Sequence, residues 1–252
     1  EHSFFMSTVG KSIRSALGPN MRYLACGGAP LNVDLAHFFN GMDDITFIQG
    51  YGMTETAAPC LVNFQDANEV GSVGRPGCIS IRLADDDELM IKGPNVFLGY
   101  YKQPQRTAEA LTSDGWLHTG DLARRTPEGN YKITGRIKDM IIRGGENIYP
   151  KEIEDFIYTH PKVNDVQVIG VPDKDYGEEI MACVIIKEGE TLTEEELKEY
   201  VMTHMAKHKV PRYIDFVDEF PMNAAGKILK YKMREQAVEK LGLQKANNIV
   251  TA

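Results

Sequence analysis

Apolar and polar positions along the chain change rhythm twice. In residues 1–69, strand-like and helical pieces alternate: "MRYLACGGAPL" is an apolar strand running into a Gly-Gly-Ala-Pro turn. "NVDLAHFFNGM" has helical spacing through Val33, Leu35, Phe38 and Phe39. "DITFIQG" reads as a short buried strand, Ile45, Phe47 and Ile48, closed by a glycine. Residues 70–137 are mostly β. "CISIRLADDDELMIKG" alternates Ile79, Ile81 and Leu83, turns at the aspartates and returns through Leu89 and Ile91, which predicts a hairpin, and "EGNYKITGR" predicts a further strand. From "KDMIIRGGENIYP" onward the pattern is that of a separate small module. Pro150 opens a helix with Ile153, Phe156 and Ile157 on its buried stripe, and "VNDVQVIGVP" and "EEIMACVIIK" are strands. Thr193 and Glu196 form a capping box ahead of Leu197, Tyr200, Val201 and Met205. A last helix, "KYKMREQAVEKLG", ends at Gly242, and "QKANNIVTA" is a loose tail. The expected fold class is α/β plus α+β. The end of a large domain (1–137, with an α/β piece over 1–69 and a β-rich piece over 70–137) precedes a small α+β domain (138–242) and a tail (243–252).

Composition narrows the partners more than the fold. The 252 residues carry a formal net charge of −8, against the broad basic face that nucleic acid requires. Cys26, Cys60, Cys78 and Cys183 are widely spaced and form no CxxC pair, so zinc-ribbon and thioredoxin chemistry fall away and isolated buried, reduced thiols are expected. No apolar run approaches the ~20 residues of a membrane span. The expected setting is cytoplasmic. The chain opens with Glu1, and "EHSFFMSTVGKS" lacks a signal-peptide pattern, which leaves a targeting segment upstream open.

Five strings carry candidate chemistry. "IQGYGMTETAAP" places a flat ring (Tyr51), Gly52, a hydroxyl (Thr54) and a carboxylate for a hard cation (Glu55) at a strand end, a set that suits a nucleotide and its metal. A tight turn leading into a helix capped by Thr54 uses the same residues. "GWLHTGDLA" sets Asp121 after a glycine at the start of a strand, where a carboxylate accepts ribose hydroxyls or simply makes a turn. "ITGRIKDMIIRGGEN" sets Arg136 after a Thr-Gly turn, then Lys138 with Asp139, then Gly144 and Gly145; these read as a ligand-facing loop or as a surface linker. Lys227 in "MNAAGKILK" is a cation on a small-residue loop, and "CGGAPL" either lies against a base or stops a strand.

The ordered set says more than its parts. "GGAPL", "YGMTET", "VGRPG", "ELMIKGPNVFLGYY", "GWLHTGD", "YKITGRIKDMIIRGGENIYPKEIE" and "PMNAAGKILK" resemble, in order and approximate spacing, the adenylate-forming superfamily of acyl-CoA synthetases, firefly-luciferase-like enzymes and nonribosomal adenylation domains. "KDMIIRGGENIYPKEIEDFIYTHPKV" is most similar to medium- and long-chain fatty acyl-CoA synthetases. The resemblance implies a ligase that activates a carboxylic acid, a fatty acid by this likeness, with ATP and Mg²⁺ and passes it to CoA. It implies that Gly28, Ala29 and Pro30 lie along adenine, with Tyr51 stacked on its face and Gly52 in the same turn. Thr54 would contact phosphate, Glu55 would hold Mg²⁺, and Asp121 and Arg136 would contact ribose. Lys138 falls at the hinge position, Gly144 and Gly145 on the pantetheine path, and Lys227 at the lysine that bridges carboxylate and α-phosphate during adenylation. The family's Ser/Thr/Gly-rich phosphate loop does not occur in these 252 residues, so the chain resembles the C-terminal part of a longer enzyme. The rival expectations are an adenylating enzyme for an aryl acid or carrier protein, and a nucleotide- or CoA-binding fragment without turnover.

Overall fold

The computed structural model describes residues 10–244 apart from Pro19, Pro30, Asn32, Asp43, Asp44, Ala58, Gln65, Asp66 and Ala225. The chain divides into two compact units, Glu1–Ile133 and Thr134–Ala252.

Among the described residues of unit 1 the first helix is α1 (Lys11–Leu17). Strands β1 (Tyr23–Cys26) and β2 (Thr46–Tyr51) are parallel, Tyr23 opposite Thr46 and Cys26 opposite Gln49, and α2 (Val33–Asn40) makes the crossover. β3 (Leu61–Val62) and β4 (Arg75–Pro76) extend this sheet antiparallel. β2 continues one residue past the glycine expected to close it and is half-buried throughout. The helical spacing of α2 holds, but Val33 and Leu35 are 46% and 45% exposed and only Ala36 is buried. A second sheet has the order β5 (Ser80–Leu83), β6 (Glu88–Lys92), β7 (Leu117–Arg125), β8 (Tyr131–Arg136). β5 and β6 are the expected hairpin, Leu83 opposite Leu89. Helix α3 (Pro104–Ala110) lies between β6 and β7 in the chain. Leu61, Val73, Leu89, Ala123 and Tyr131 form the core of the unit. Trp116 lies beneath the Arg82 guanidinium at 4.5 Å, with the Lys92 ammonium 5.9 Å from the ring.

Two expectations about position are corrected here. Asp121 lies in the middle of β7, not at a strand start, because pairing begins earlier, at Leu117. Thr134 and Gly135 are strand residues of β8, so Arg136 ends a strand and does not follow a turn.

Unit 2 is organised around a long hairpin, β11 (Val163–Asp173) with β12 (Gly177–Ile186). β9 (Ile141–Arg143) and β10 (Glu146–Ile148) form a short hairpin beside it, and β13 (Tyr213–Phe216) pairs parallel with β12. The period of two sorts the apolar runs onto two faces. Val166, Val168, Ile180, Ala182 and Val184 pack with Ile153 and Ile157 of α4 (Pro150–Tyr158) and Leu197 and Val201 of α5 (Glu194–Met202). Ile169, Val171, Met181 and Cys183 pack with Met233 and Ala237 of α6 (Lys230–Lys240). The capping box is formed: Thr193 accepts from the Glu196 N–H, and Glu196 from the Thr193 N–H. Nearly all of the "QKANNIVTA" tail lies outside the described residues.

Candidate functional site

Parallel pairing brings the carboxyl ends of β1 and β2 together, the usual ligand crevice of an open α/β sheet. Gly27, Gly28 and Ala29 leave β1 there. A Cβ on Gly27 would stand 3.2 Å from the Gly50 carbonyl, and Gly28 has φ +82°, so the turn packs backbone against backbone. Pro30 lies outside the described residues. From β2 the chain passes Tyr51, Gly52 and Met53 into a single 3₁₀ turn, Thr54–Thr56. Thr54 is not the cap that the turn reading expects. The Thr56 hydroxyl accepts from the Met53 N–H (3.0 Å) and donates to the Met53 carbonyl (2.9 Å), leaving Thr54 exposed.

The loop after β6 clamps this turn. Asn95 donates to the Thr56 carbonyl (3.1 Å), and the Phe97 N–H donates to that of Glu55 (2.8 Å). The Tyr100 hydroxyl donates to Glu55 Oε1 at 2.7 Å, and Arg106 stacks on the Tyr100 ring at 4.4 Å. The Glu55 hydrogen bond, then burial, pushes the Tyr100 phenol up, so it remains a neutral donor. From the second sheet, Asp121 Oδ2 accepts the Tyr51 hydroxyl at 2.6 Å. Burial, and then the Asp121 charge, raise the Tyr51 phenol well above its ordinary value. Asp121 is 5% exposed, and a carboxylate shielded from water binds hydroxyls with little competition from solvent.

Gly28, Ala29, Tyr51, Gly52, Thr54, Glu55 and Asp121 thus belong to unit 1, and the structure joins the two motifs of Tyr51 and Asp121 directly. Among the described residues no group of three or more His, Cys, Asp or Glu forms a metal cage. The single Glu55 carboxylate suits Mg²⁺, which takes one or two protein carboxylates and completes its shell with phosphates and water.

The other candidates belong to unit 2. Arg136 ends β8, and Lys138 is exposed on the 3₁₀ turn Ile137–Asp139. Gly144 and Gly145, at φ +58° and +87°, make the two-residue turn of the β9–β10 hairpin. That hairpin is welded in place by residues the sequence reading passed over. The Arg143 Nε and Nη2 reach Glu179 Oε1 at 2.7 and 2.6 Å, its guanidinium stacks on Tyr176 at 4.2 Å, and the Gly144 N–H donates to the Tyr176 carbonyl. Glu179 is 1% exposed. Asp173 Oδ1 accepts the N–H groups of Asp175 and Tyr176, and Oδ2 accepts from Arg212 at 3.0 Å. The string "VPDKDYGEE" held the signal: acids, an aromatic and a glycine at a strand end. Lys227 is exposed on a loop closed by Asn223, whose N–H donates to the Lys227 carbonyl and whose side chain accepts the Lys227 N–H, both at 2.9 Å.

Comparison with known proteins places the chain in a family. Residues 5–101 match the AMP-binding enzyme family and residues 152–227 match the AMP-binding enzyme C-terminal domain. The chain belongs to this adenylate-forming family. It is 42% identical over 240 residues to the mitochondrial medium-chain acyl-CoA ligase of Bos taurus, covering 88% of this chain and 39% of that protein. It is 41% identical over 236 residues to a feruloyl-CoA synthase of Amycolatopsis sp, covering 88% of this chain and 48% of that protein. Among solved structures, ATP-bound MatB from Rhodopseudomonas palustris is similar with a TM-score of 0.81 at 36% identity, covering 86% of this chain and 45% of that chain. The chain therefore spans less than half the length of these relatives. No helix among the described residues is long and apolar enough to cross a membrane.

Proposed function

We propose that this chain is the C-terminal portion of an AMP-forming acid–thiol ligase that activates a carboxylic acid, a fatty acid by preference. The acid's carboxylate attacks the α-phosphorus of ATP and pyrophosphate leaves. CoA sulfur then attacks the acyl carbonyl, a thioester forms, and AMP leaves. The observation that carries this reading is the Tyr51–Asp121 bond, which unites an aromatic ring and a buried carboxylate in one unit beside the Thr54–Glu55 turn.

In this reading Gly28, Ala29 and Pro30 lie along adenine, Tyr51 stacks on it from the Gly52 turn, and Asp121, with Arg136, takes the ribose hydroxyls. Thr54 meets phosphate. Mg²⁺ is held by Glu55 together with the nucleotide, and when bound it neutralises phosphate charge. Lys227 bridges the carboxylate and the α-phosphate as charge grows there. The chemistry asks mainly for positioning and charge, which these side chains supply. The hairpin of Gly144 and Gly145 serves the thioester half, with Lys138 at the joint between the two uses of the small domain, 138–242. The proposed setting is the cytoplasm.

The test separates the halves in the enzyme that contains this chain. Lys227→Ala is expected to slow adenylation by roughly a hundredfold, the effect of ~3 kcal/mol, and to spare thioester formation from supplied acyl-AMP. Equal losses in both halves would overturn the assignment. An aromatic acid is the second reading, favoured by the 41% identity to the feruloyl-CoA synthase. Pyrophosphate release measured across fatty and aryl acids decides between them.

A further inference from the structure

Asp121 owes its position to an irregularity in the second sheet. β6 and β7 pair Glu88 with Leu122 and then Met90 with His118, so two steps along β6 answer four along β7. Thr119, Gly120 and Asp121 stand against the single Leu89 of β6, a surplus of two residues that bulges out of the ladder, with Gly120 at φ +70°. A bulge of this kind leaves N–H groups without ladder partners, and here Glu88 takes up that of Gly120. Its Oε1 accepts the Gly120 N–H at 2.8 Å and its Oε2 lies 2.7 Å from His118 Nδ1. The Glu88 residue is 7% exposed. The Thr119 hydroxyl donates to the Leu89 carbonyl (2.7 Å) and accepts the Asp121 N–H (3.1 Å), pinning the other side of the bulge.

A buried carboxylate is costly unless both oxygens are satisfied. Glu88 meets that condition only while the chain between His118 and Gly120 keeps this shape. The same shape aims Asp121 at the Tyr51 hydroxyl. We infer that Glu88 is a positioning residue for the nucleotide: it fixes the β7 bulge that aims Asp121, and so sets how well the protein tells a ribose from a sugar without its hydroxyls. This rests on the reading of Asp121 as the ribose acceptor.

The probes are AMP and 2′,3′-dideoxy-AMP, titrated into the chain by calorimetry. A charge-assisted hydrogen bond is worth at least ~1.4 kcal/mol, so the unaltered chain is expected to prefer AMP by about tenfold or more. Asp121→Asn should reduce that preference to near unity. Glu88→Gln keeps the length and the acceptor for the Gly120 N–H and should leave the preference unchanged. Glu88→Asp keeps the charge but withdraws it by about 1.5 Å, one carbon–carbon bond, and should lose most of the preference. A role confined to folding would weaken both probes equally and leave their ratio unmoved. If Asp121→Asn abolishes the preference while Glu88→Asp preserves it, the inference about Glu88 is wrong and the ribose reading stands. If the unaltered chain shows no preference, the ribose reading fails and the inference fails with it. Should Glu88→Asp not fold, by circular dichroism, His118→Ala is the milder variant. A fall of about threefold in the AMP preference supports the positioning role, and an unchanged preference overturns it.

Discussion

The β1–β2 pair and the β11–β12 hairpin are written in similar apolar residues, yet only the second is covered on both faces. Val168, Val171, Ile180, Ala182 and Val184 are fully buried between α4 and α5 on one side and α6 on the other. In β1 and β2, Tyr23 is 53% exposed and every residue of β2 is half-buried, while Val33 and Leu35 of the crossover helix face outward. Parallel strands are normally sheathed on both faces. Burial is a property of what surrounds a strand, and the same apolar run reads identically in sequence whether or not its cover lies within the same stretch of chain.

This difference can be tested by division. We expect residues 134–244 alone to melt in one cooperative transition, and residues 10–133 alone to show a shallow one, each followed by circular dichroism. A sharp transition in the first piece and an equally sharp one in the second would erase the contrast.

Within the full chain, Arg143→Ala leaves the buried Glu179 carboxylate with only the Arg212 guanidinium, 3.9 Å away, which should cost about 3 kcal/mol in denaturant melts of unit 2. A matched pair of truncations sharpens the comparison. Leu197→Ala, at a fully buried site, should cost about 2–5 kcal/mol, and Leu35→Ala, on the open helix, less than about 0.5 kcal/mol. Similar losses at both sites would mean that Leu35 is covered in solution.

A smaller effect is expected from pH. Burial alone lifts the Asp173 carboxyl, but the N–H groups of Asp175 and Tyr176 and the Arg212 and Arg143 guanidiniums outweigh it and hold the carboxyl below its ordinary range. A carboxyl depressed in the folded state adds stability above its unfolded value, about pH 3.9, and that stability is lost as pH falls through the folded value. Unit 2 should therefore weaken below about pH 4, and Asp173→Asn should flatten that part of the profile. The smallest effect belongs to Lys198→Ala, which removes an exposed pair with Glu194 and should change stability by no more than about 0.5 kcal/mol.

Elements whose signal is local were legible in the sequence. The β5–β6 hairpin announces itself through alternation and three consecutive aspartates, and α5 through Thr193 and Glu196, and both form as read. Candidate chemistry was legible as residue types at strand ends. What escaped was whatever depends on a distant partner. Asp121 looked like a turn residue because the bulge is created by pairing with β6, some thirty positions earlier in the chain. Tyr51 suggested a ring alone, whereas its hydroxyl is committed to a residue |i−j| = 70 away. Tyr100 gave no signal because its importance lies in Glu55, the group it holds, and Glu179 stood out only as one acid of a strand-end string, its partner Arg143 lying 36 positions away.

The seat of Trp116 has a practical consequence. It is the one tryptophan of the chain, and it lies in unit 1 within reach of two cations. Indole emission therefore reports on the β5–β7 side of the molecule, and the second unit is dark in that channel. A chemist following unfolding by fluorescence would watch the loss of one guanidinium–indole stack and remain blind to the large core of the β11–β12 hairpin. Comparing that optical trace with a backbone signal separates the two halves of the protein without attaching any dye.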